Sequence, residues 1–277
     1  DLNHPAVVLR EPALNESRHP VSLASSIFEF SHAEYPGDQM YTAGDYLGHA
    51  DMEPFYDVFY KQVAGYPKSG DVMDNQMEDM LSIKPLFCRE WGDGVGEKPR
   101  VSLKENEEEQ MRQCRSRIEQ LNGNGYFDWC MLDANPHMAG HFVWSYNDYA
   151  RGSEDETMYS GVVDMNRYPK FSYFMLQSMR SPAISQPGLY EGPMVFIASY
   201  NASEQFSSST TNIMVFSNCE EVRLYRNGKL AGTQTRAERT PLYHSIVEKG
   251  GSPVFVFNTG KYEAGTFKAE ALLGGKV

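Results

Sequence analysis

The chain has 277 residues, a formal net charge of −12, and hydrophobic and aromatic fractions of 41% and 13%. That length holds one large domain or two ordinary ones, and the composition suits a well-cored globular protein. The acidic balance excludes a nucleic-acid-binding role, because phosphate backbones need a basic footprint, and it argues equally against an anionic membrane surface.

The first two-thirds of the sequence alternate short apolar runs with helical stretches. Strand candidates are Ala6–Leu9, Met40–Gly44, Val58–Val63, Pro85–Glu90 and Gly140–Tyr146. Between the last two, Leu103–Leu121 reads as a helix. Met111, Cys114, Ile118 and Leu121 fall on one face at three- and four-residue steps. The run Glu105–Glu109 fits an acidic first turn, and Asn122-Gly123-Asn124-Gly125 ends the helix. Strands alternating with helices point to a parallel sheet covered by helices.

The character changes after Pro182. Pro182, Pro187, Gly188, Gly192 and Pro193 mark a linker, and β-rich runs follow: Met194–Tyr200, Asn212–Ser217, Glu221–Arg226, Val254–Asn258 and Thr266–Leu272. Asn227-Gly228 is a hairpin turn. This part reads as a β-sandwich of immunoglobulin type with fewer strands than usual. The expected division is residues 1–183, a linker at 184–192, and a sandwich at 193–277 that is cut short.

The cysteines are Cys88, Cys114, Cys130 and Cys219, in no CxxC or zinc spacing. They leave the redox compartment open. No signal peptide or membrane span is visible. The first residues run straight into an apolar strand, so the domain is expected to begin upstream.

Two carboxylates stand at the C-terminal ends of apolar runs. Glu16 follows Asn15 beyond the first run, and Glu90 closes Leu86-Phe87-Cys88-Arg89, next to Trp91. Two carboxyl groups facing one glycosidic bond suffice to hydrolyse it. In a parallel barrel, catalytic groups gather at C-terminal strand ends. Each glutamate alone is equally a surface or ion-paired residue. Trp144, in His141-Phe142-Val143-Trp144-Ser145-Tyr146, is a core residue or an aromatic wall under a sugar ring. His32, His137 and His141 are structural histidines or donors to hydroxyls. Gly92–Gly96 forms neither GxGxxG nor a P-loop, and no GxSxG is present.

Asn3-His4-Pro5-Ala6-Val7-Val8, followed by Leu14-Asn15-Glu16-Ser17, resembles the acid/base signature of glycoside hydrolase family 2. Leu86–Gly92 resembles the nucleophile strand of that family, and Gly140–Asp148 its last barrel strand. Gly161–Lys170 with Tyr173 is similar to the segment that closes the barrel. Val215–Asn218 and Glu221–Lys229 are similar to the immunoglobulin-like domain that follows. The resemblance implies the C-terminal half of a (β/α)8 TIM barrel, from about strand 4 to strand 8, then an immunoglobulin-like sandwich. It implies Glu16 as acid/base and Glu90 as nucleophile of a retaining enzyme. It implies Asn15, Trp144, His32 and Trp91 at the sugar, with no metal and no cofactor.

The implied partners are a carbohydrate substrate and an N-terminal part of the same polypeptide, and the implied setting is bacterial, periplasmic or extracellular. A half barrel alone is expected to be poorly stable and inactive. Arg10 stands near a position where the family commonly has Trp, and Leu14 where it commonly has Gly. The Asn-x-Lys clamp of the glucuronidase branch is missing from Thr157-Met158-Tyr159-Ser160-Gly161. That favours a neutral β-hexoside, galactose first, over a glucuronide or mannoside. A non-catalytic carbohydrate-binding relative is the competing reading.

Overall fold

A computed structural model describes residues 6–12, 20–35, 37–42, 54–60, 85–91, 109–114, 117, 138–150, 152, 157–183, 185–186, 190–199, 212–235, 254–260 and 265–277. The chain forms two compact units that interleave in sequence. The first is Asp1–Asp93 with Gly123–Trp144, and the second is Gly94–Asn122 with Ser145–Val277.

The first unit is built from parallel pairs. Strand β1 (Leu9–Arg10) pairs with β2 (Met40–Tyr41), with Leu9 opposite Met40 and Arg10 opposite Tyr41. Helix α1 (Val21–Glu34) connects them, as parallel neighbours require a crossover. Pro20 stands at its N-terminus and Pro36 follows its end, both positions where proline is tolerated and continuation is not. Strands β3 (Phe59–Tyr60), β4 (Leu86–Trp91) and β5 (Met138–Val143) form a parallel sheet with β4 in the centre. The β4–β5 register shifts between Leu86 and Phe87 and again between Cys88 and Trp91. Each of the five strand candidates overlaps an observed strand among the described residues.

The second unit begins with the helical residues 109–114, here α2, and 117. Of the expected apolar face, Cys114 is buried, and polar side chains beside it are buried as well. Gln113, Cys114 and Arg117 are each 0% exposed, while Met111 is only partly buried. Polar side chains win these positions because each meets a backbone or hydroxyl partner. Ile118 and Leu121 lie outside the described residues. Next come β6 (Tyr149–Ala150) and β7 (Thr157–Met158), an antiparallel pair. Helix α3 (Phe171–Gln177) and a second short pair, β8 (Ser185–Gln186) with β9 (Tyr190–Glu191), lead into two antiparallel sheets.

One sheet orders β10 (Val195–Ile197), β11 (Asn212–Ser217) and β14 (Val254–Asn258) with β11 in the centre. The other orders β13 (Lys229–Thr235), β12 (Glu221–Arg226) and β15 (Phe267–Leu272) with β12 in the centre. Ile213, Val215, Val222, Leu224, Phe255 and Phe257 form their shared core, with Ile197, Phe267, Ala269 and Ala271 packed against it. Alternation along β12 puts Val222 and Leu224 inside and leaves Glu221, Arg223 and Tyr225 on the other face.

The Asn227-Gly228 turn has φ of +50° and +76°. This is the primed geometry that joins twisted strands through two residues. Helix α3 docks on the first sheet through Phe174, whose ring stacks on Phe196 at 3.8 Å and 9°, with Phe171 edge-on at 5.8 Å.

Candidate active site

Glu90 and Trp91 are the last two residues of β4, the central strand of the parallel sheet. Their backbone therefore lies at the carboxyl end of the sheet, with β3 and β5 as parallel neighbours. This is where α/β folds collect functional groups, because the loops leaving parallel strands meet there. The Glu90 and Trp91 side chains are outside the described set. Trp144 directly follows β5 and is partly buried. Asn15 and Glu16 lie outside the described residues. The strand that leads to them, β1, ends at Arg10.

His32 is placed elsewhere. It sits in the last turn of α1. Its Nε2 lies 3.2 Å from Asp57 Oδ2. The same carboxylate oxygen accepts the Tyr41 backbone N–H at 2.8 Å. Edge-on contacts to Phe28 and Tyr41, at 4.4 and 4.7 Å between ring centres, hold the imidazole. Asp57 stands two residues before β3 begins. His32 is thus near the amino end of β3, whereas Glu90 and Trp91 close the carboxyl end of β4. Arg10 has its own explanation. Its guanidinium lies 4.4 Å above the Tyr35 ring at the end of α1. A cation–π contact there covers an aromatic surface that an indole would cover by packing.

The second unit holds a buried ionic constellation that the sequence reading did not single out. Asp148 and Lys170 side chains are 4% and 5% exposed, and Lys170 Nζ donates to Asp148 Oδ1 at 2.6 Å. That oxygen also accepts the Gly161 N–H at 2.9 Å. Lys170 Nζ donates further to the Tyr159 carbonyl at 3.0 Å. Arg117 Nη1 donates to Ser172 Oγ, and Nη2 to the Ser160 carbonyl, both at 2.5 Å. Gln113 Nε2 reaches the Tyr159 carbonyl at 2.9 Å. Burial pulls the Arg117 pKa down to about 10, opposed by the nearby Cys114 and Asp148. The guanidinium is still charged at neutral pH.

The cluster fastens residues 145–148 alongside 160–163, which are joined by Val162 N–H to Ser145 O (3.0 Å) and Asp148 N–H to Val163 O (3.1 Å). A Cβ on Gly161 would collide with Asp148 N, Asn147 C and Val163 O, so only glycine permits this approach. A lysine alone between Pro169 and the apolar run Phe171–Met175 was the available sequence signal.

Comparison with known proteins adds the decisive observation. A β-galactosidase from Thermoanaerobacterium thermosulfurigenes is 25% identical over 241 residues, 83% of this chain and 30% of its own length. A β-galactosidase from Thermoanaerobacter pseudethanolicus is 43% identical over 103 residues, 36% of this chain and 13% of its own. A β-glucuronidase from Formosa agariphila is 28% identical over 148 residues, 52% of this chain and 13% of its own. The chain is similar in sequence to bacterial β-galactosidases and to a bacterial β-glucuronidase.

A family 2 β-glucuronidase structure shares its fold with a TM-score of 0.60 at 19% identity, covering 99% of this chain and 26% of that one. A β-glycosidase structure from Bacteroides vulgatus does so with a TM-score of 0.65 at 17% identity, covering 100% and 36%. Residues 208–277, from before β11 to the last residue, match a family described as a domain of unknown function, DUF4982. The chain spans at most 30% of the length of these three curated relatives.

Proposed function

We propose that this chain carries the catalytic carboxylates of a retaining β-glycosidase of family 2. The observation that carries the reading is Glu90 at the carboxyl end of the central strand of a parallel sheet, in a chain related to that family. On this reading the first unit holds strands of a (β/α)8 barrel, and the two antiparallel sheets are an immunoglobulin-like sandwich. Residues 1–183 are the part-barrel and 193–277 the sandwich. The remaining barrel strands belong to a longer protein.

Glu90 attacks the anomeric carbon while Glu16, protonated, donates to the leaving oxygen. Glu16 then takes a proton from the water that releases the sugar. Retention requires the two carboxyl groups about 5–5.5 Å apart. It also requires unequal acidities, with Glu16 the weaker acid. Asn15 serves the 2-hydroxyl, and Trp144 and Trp91 supply aromatic walls. His32 is assigned to the scaffold, since Asp57 already engages its Nε2.

A neutral hexose, galactose first, fits better than a glucuronide. The segment Tyr159-Ser160-Gly161 lacks a clamp for a sugar carboxylate, and the two cations that reach it are engaged, Lys170 with Asp148 and Arg117 with Ser172 and the Ser160 carbonyl. The test uses the longer protein, assayed on paired aryl β-galactoside and β-glucuronide substrates. Glu90→Gln is expected to lower turnover by about 10⁴-fold. Glu16→Gln is expected to cost about 10²–10⁴-fold, most with poor leaving groups, because an acidic phenol leaves without a proton. Persistent activity in Glu90→Gln would remove the nucleophile assignment. Preference for the glucuronide would replace the substrate.

A further inference from the structure

Strand β15 pairs with β12 on one side, and among the described residues no strand pairs with it on the other. Backbone groups alternate in direction along a strand. Thr266 and Leu272 give their carbonyls to the β12 side, at 2.9 and 3.1 Å. Leu273 faces the other way, since its N–H and C=O both bond Lys276, at 2.9 and 3.1 Å. Phe267, Ala269 and Ala271 therefore turn their N–H and C=O groups outward. A groove of about 300 Å³ lies beside this edge, between Pro193–Val195 and Lys268–Ala271.

Side chains alternate as well. Phe267, Ala269 and Ala271 pack toward the core, so Lys268 and Glu270 share the opposite, outer face. The Lys268 side chain is 71% exposed, and its Nζ donates to Glu270 Oε1 at 2.6 Å. Across the ladder, Arg223 stands opposite Glu270 and Tyr225 opposite Lys268.

A lone lysine on an edge strand guards it against other strands. A lysine and a glutamate two residues apart behave differently when the edge meets a copy of itself. Outward-facing residues pair only with outward-facing residues, so a two-fold axis must fall on a residue rather than between two. An axis on Lys268 or on Glu270 sets like charges opposite one another. Only an axis on Ala269 sets Lys268 opposite Glu270 of the second copy, and Glu270 opposite its Lys268. Both pairs then take the close, non-hydrogen-bonded positions where cross-strand side chains interact.

We propose that β15 is a dimerisation edge, joining two copies of this chain antiparallel about a two-fold axis at Ala269. Ala269 exchanges both backbone hydrogen bonds with Ala269 of the second copy. Phe267 does so with Ala271 of the second copy, and Ala271 with its Phe267. On the outer face the charges alternate across the seam, from Arg223 to Glu270 to Lys268 of the second copy. On the inner face Ala269 and Ala271 are small, which leaves the groove beside them to side chains of the facing strand.

Sedimentation equilibrium of the 277-residue protein measures the self-association, and amide exchange at Ala269 locates it. A dimer is expected, with exchange at Ala269 about tenfold slower in concentrated than in dilute samples. Lys268→Glu and Glu270→Lys each set like charges across the seam. Each alone is expected to weaken association by about tenfold or more. Mixed in equal amounts, the two variants are expected to recover it as a heterodimer, because an edge with two acids then faces an edge with two bases. Recovery also shows that both variants fold. An unaltered chain that stays monomeric up to about 1 mM would overturn the proposal, as would a dimer whose Ala269 exchanges equally at every concentration. So would single variants that associate as well as the unaltered chain, or a mixture of the two folded variants that recovers nothing. None of these readouts involves sugar turnover, so the result stands apart from the glycosidase assignment.

Discussion

Glu90 and Lys170 are both charged residues beside apolar runs, and they end in different settings. Glu90 closes a central parallel strand at its carboxyl end. Lys170 is sealed against Asp148 with the carbonyl of Tyr159 as a further partner. Removing one member of a buried pair strands the other charge. Lys170→Met is therefore expected to cost about 3–5 kcal/mol, read by urea unfolding. Gly161→Ala drives a methyl into three backbone atoms that have nowhere to move. It is expected to cost about 3 kcal/mol or more, checked in the same titration.

The strand-end position of Glu90 was legible because a short apolar run that closes on a charged residue has a sequence signature. The ionic cluster was not, because Arg117, Asp148 and Lys170 lie 31 and 22 residues apart in turn. Only the fold brings them together, and a helix that buries Gln113 and Arg117 reads as one that exposes them.

Elements were legible where burial follows a short period. Strands β11, β12 and β14 coincide with the apolar runs expected for them, since each alternates or crowds large apolar side chains into one core. Strand β13 was not foreseen beyond its turn. Lys229, Thr233, Gln234 and Thr235 present little to bury, and among the described residues only β12 pairs with it. Its Gly232 lies 3.1 Å from Phe257, measured from an ideal Cβ, so the residue that weakens the strand pattern also makes room for the opposite sheet.

Helix α1 was missed for a related reason. Leu23 and Phe30 are 45% and 66% exposed, so its apolar residues do not share a face. Gly228→Val places a β-branched residue at φ +76° and is expected to destabilise by about 1–3 kcal/mol. Faster amide exchange confined first to β12 and β13 would locate the effect in that hairpin.

For the whole molecule, the proposed barrel division predicts that activity depends on more chain than this. The 277-residue protein is expected to turn over no aryl β-galactoside, while the longer protein does. Measurable turnover by the shorter protein, abolished in Glu90→Gln, would show that the described strands suffice. Residue pattern announced a parallel part followed by an antiparallel part. It did not announce that helix α2, which lies between β4 and β5 in sequence, belongs with the antiparallel sheets. Hydrophobic period reports which side of a helix is covered, not which unit covers it.

That interleaving has a consequence for synthesis. Arg117 leaves the ribosome well before Ser160 and Ser172, the residues that receive its hydrogen bonds. Strand β5, which pairs with β4, emerges in the interval. The nascent chain therefore carries the guanidinium before the groups that receive its hydrogen bonds have been made. A stalled or prematurely ended translation product would leave that cation, and the polar face of α2, without the groups they are shaped to meet.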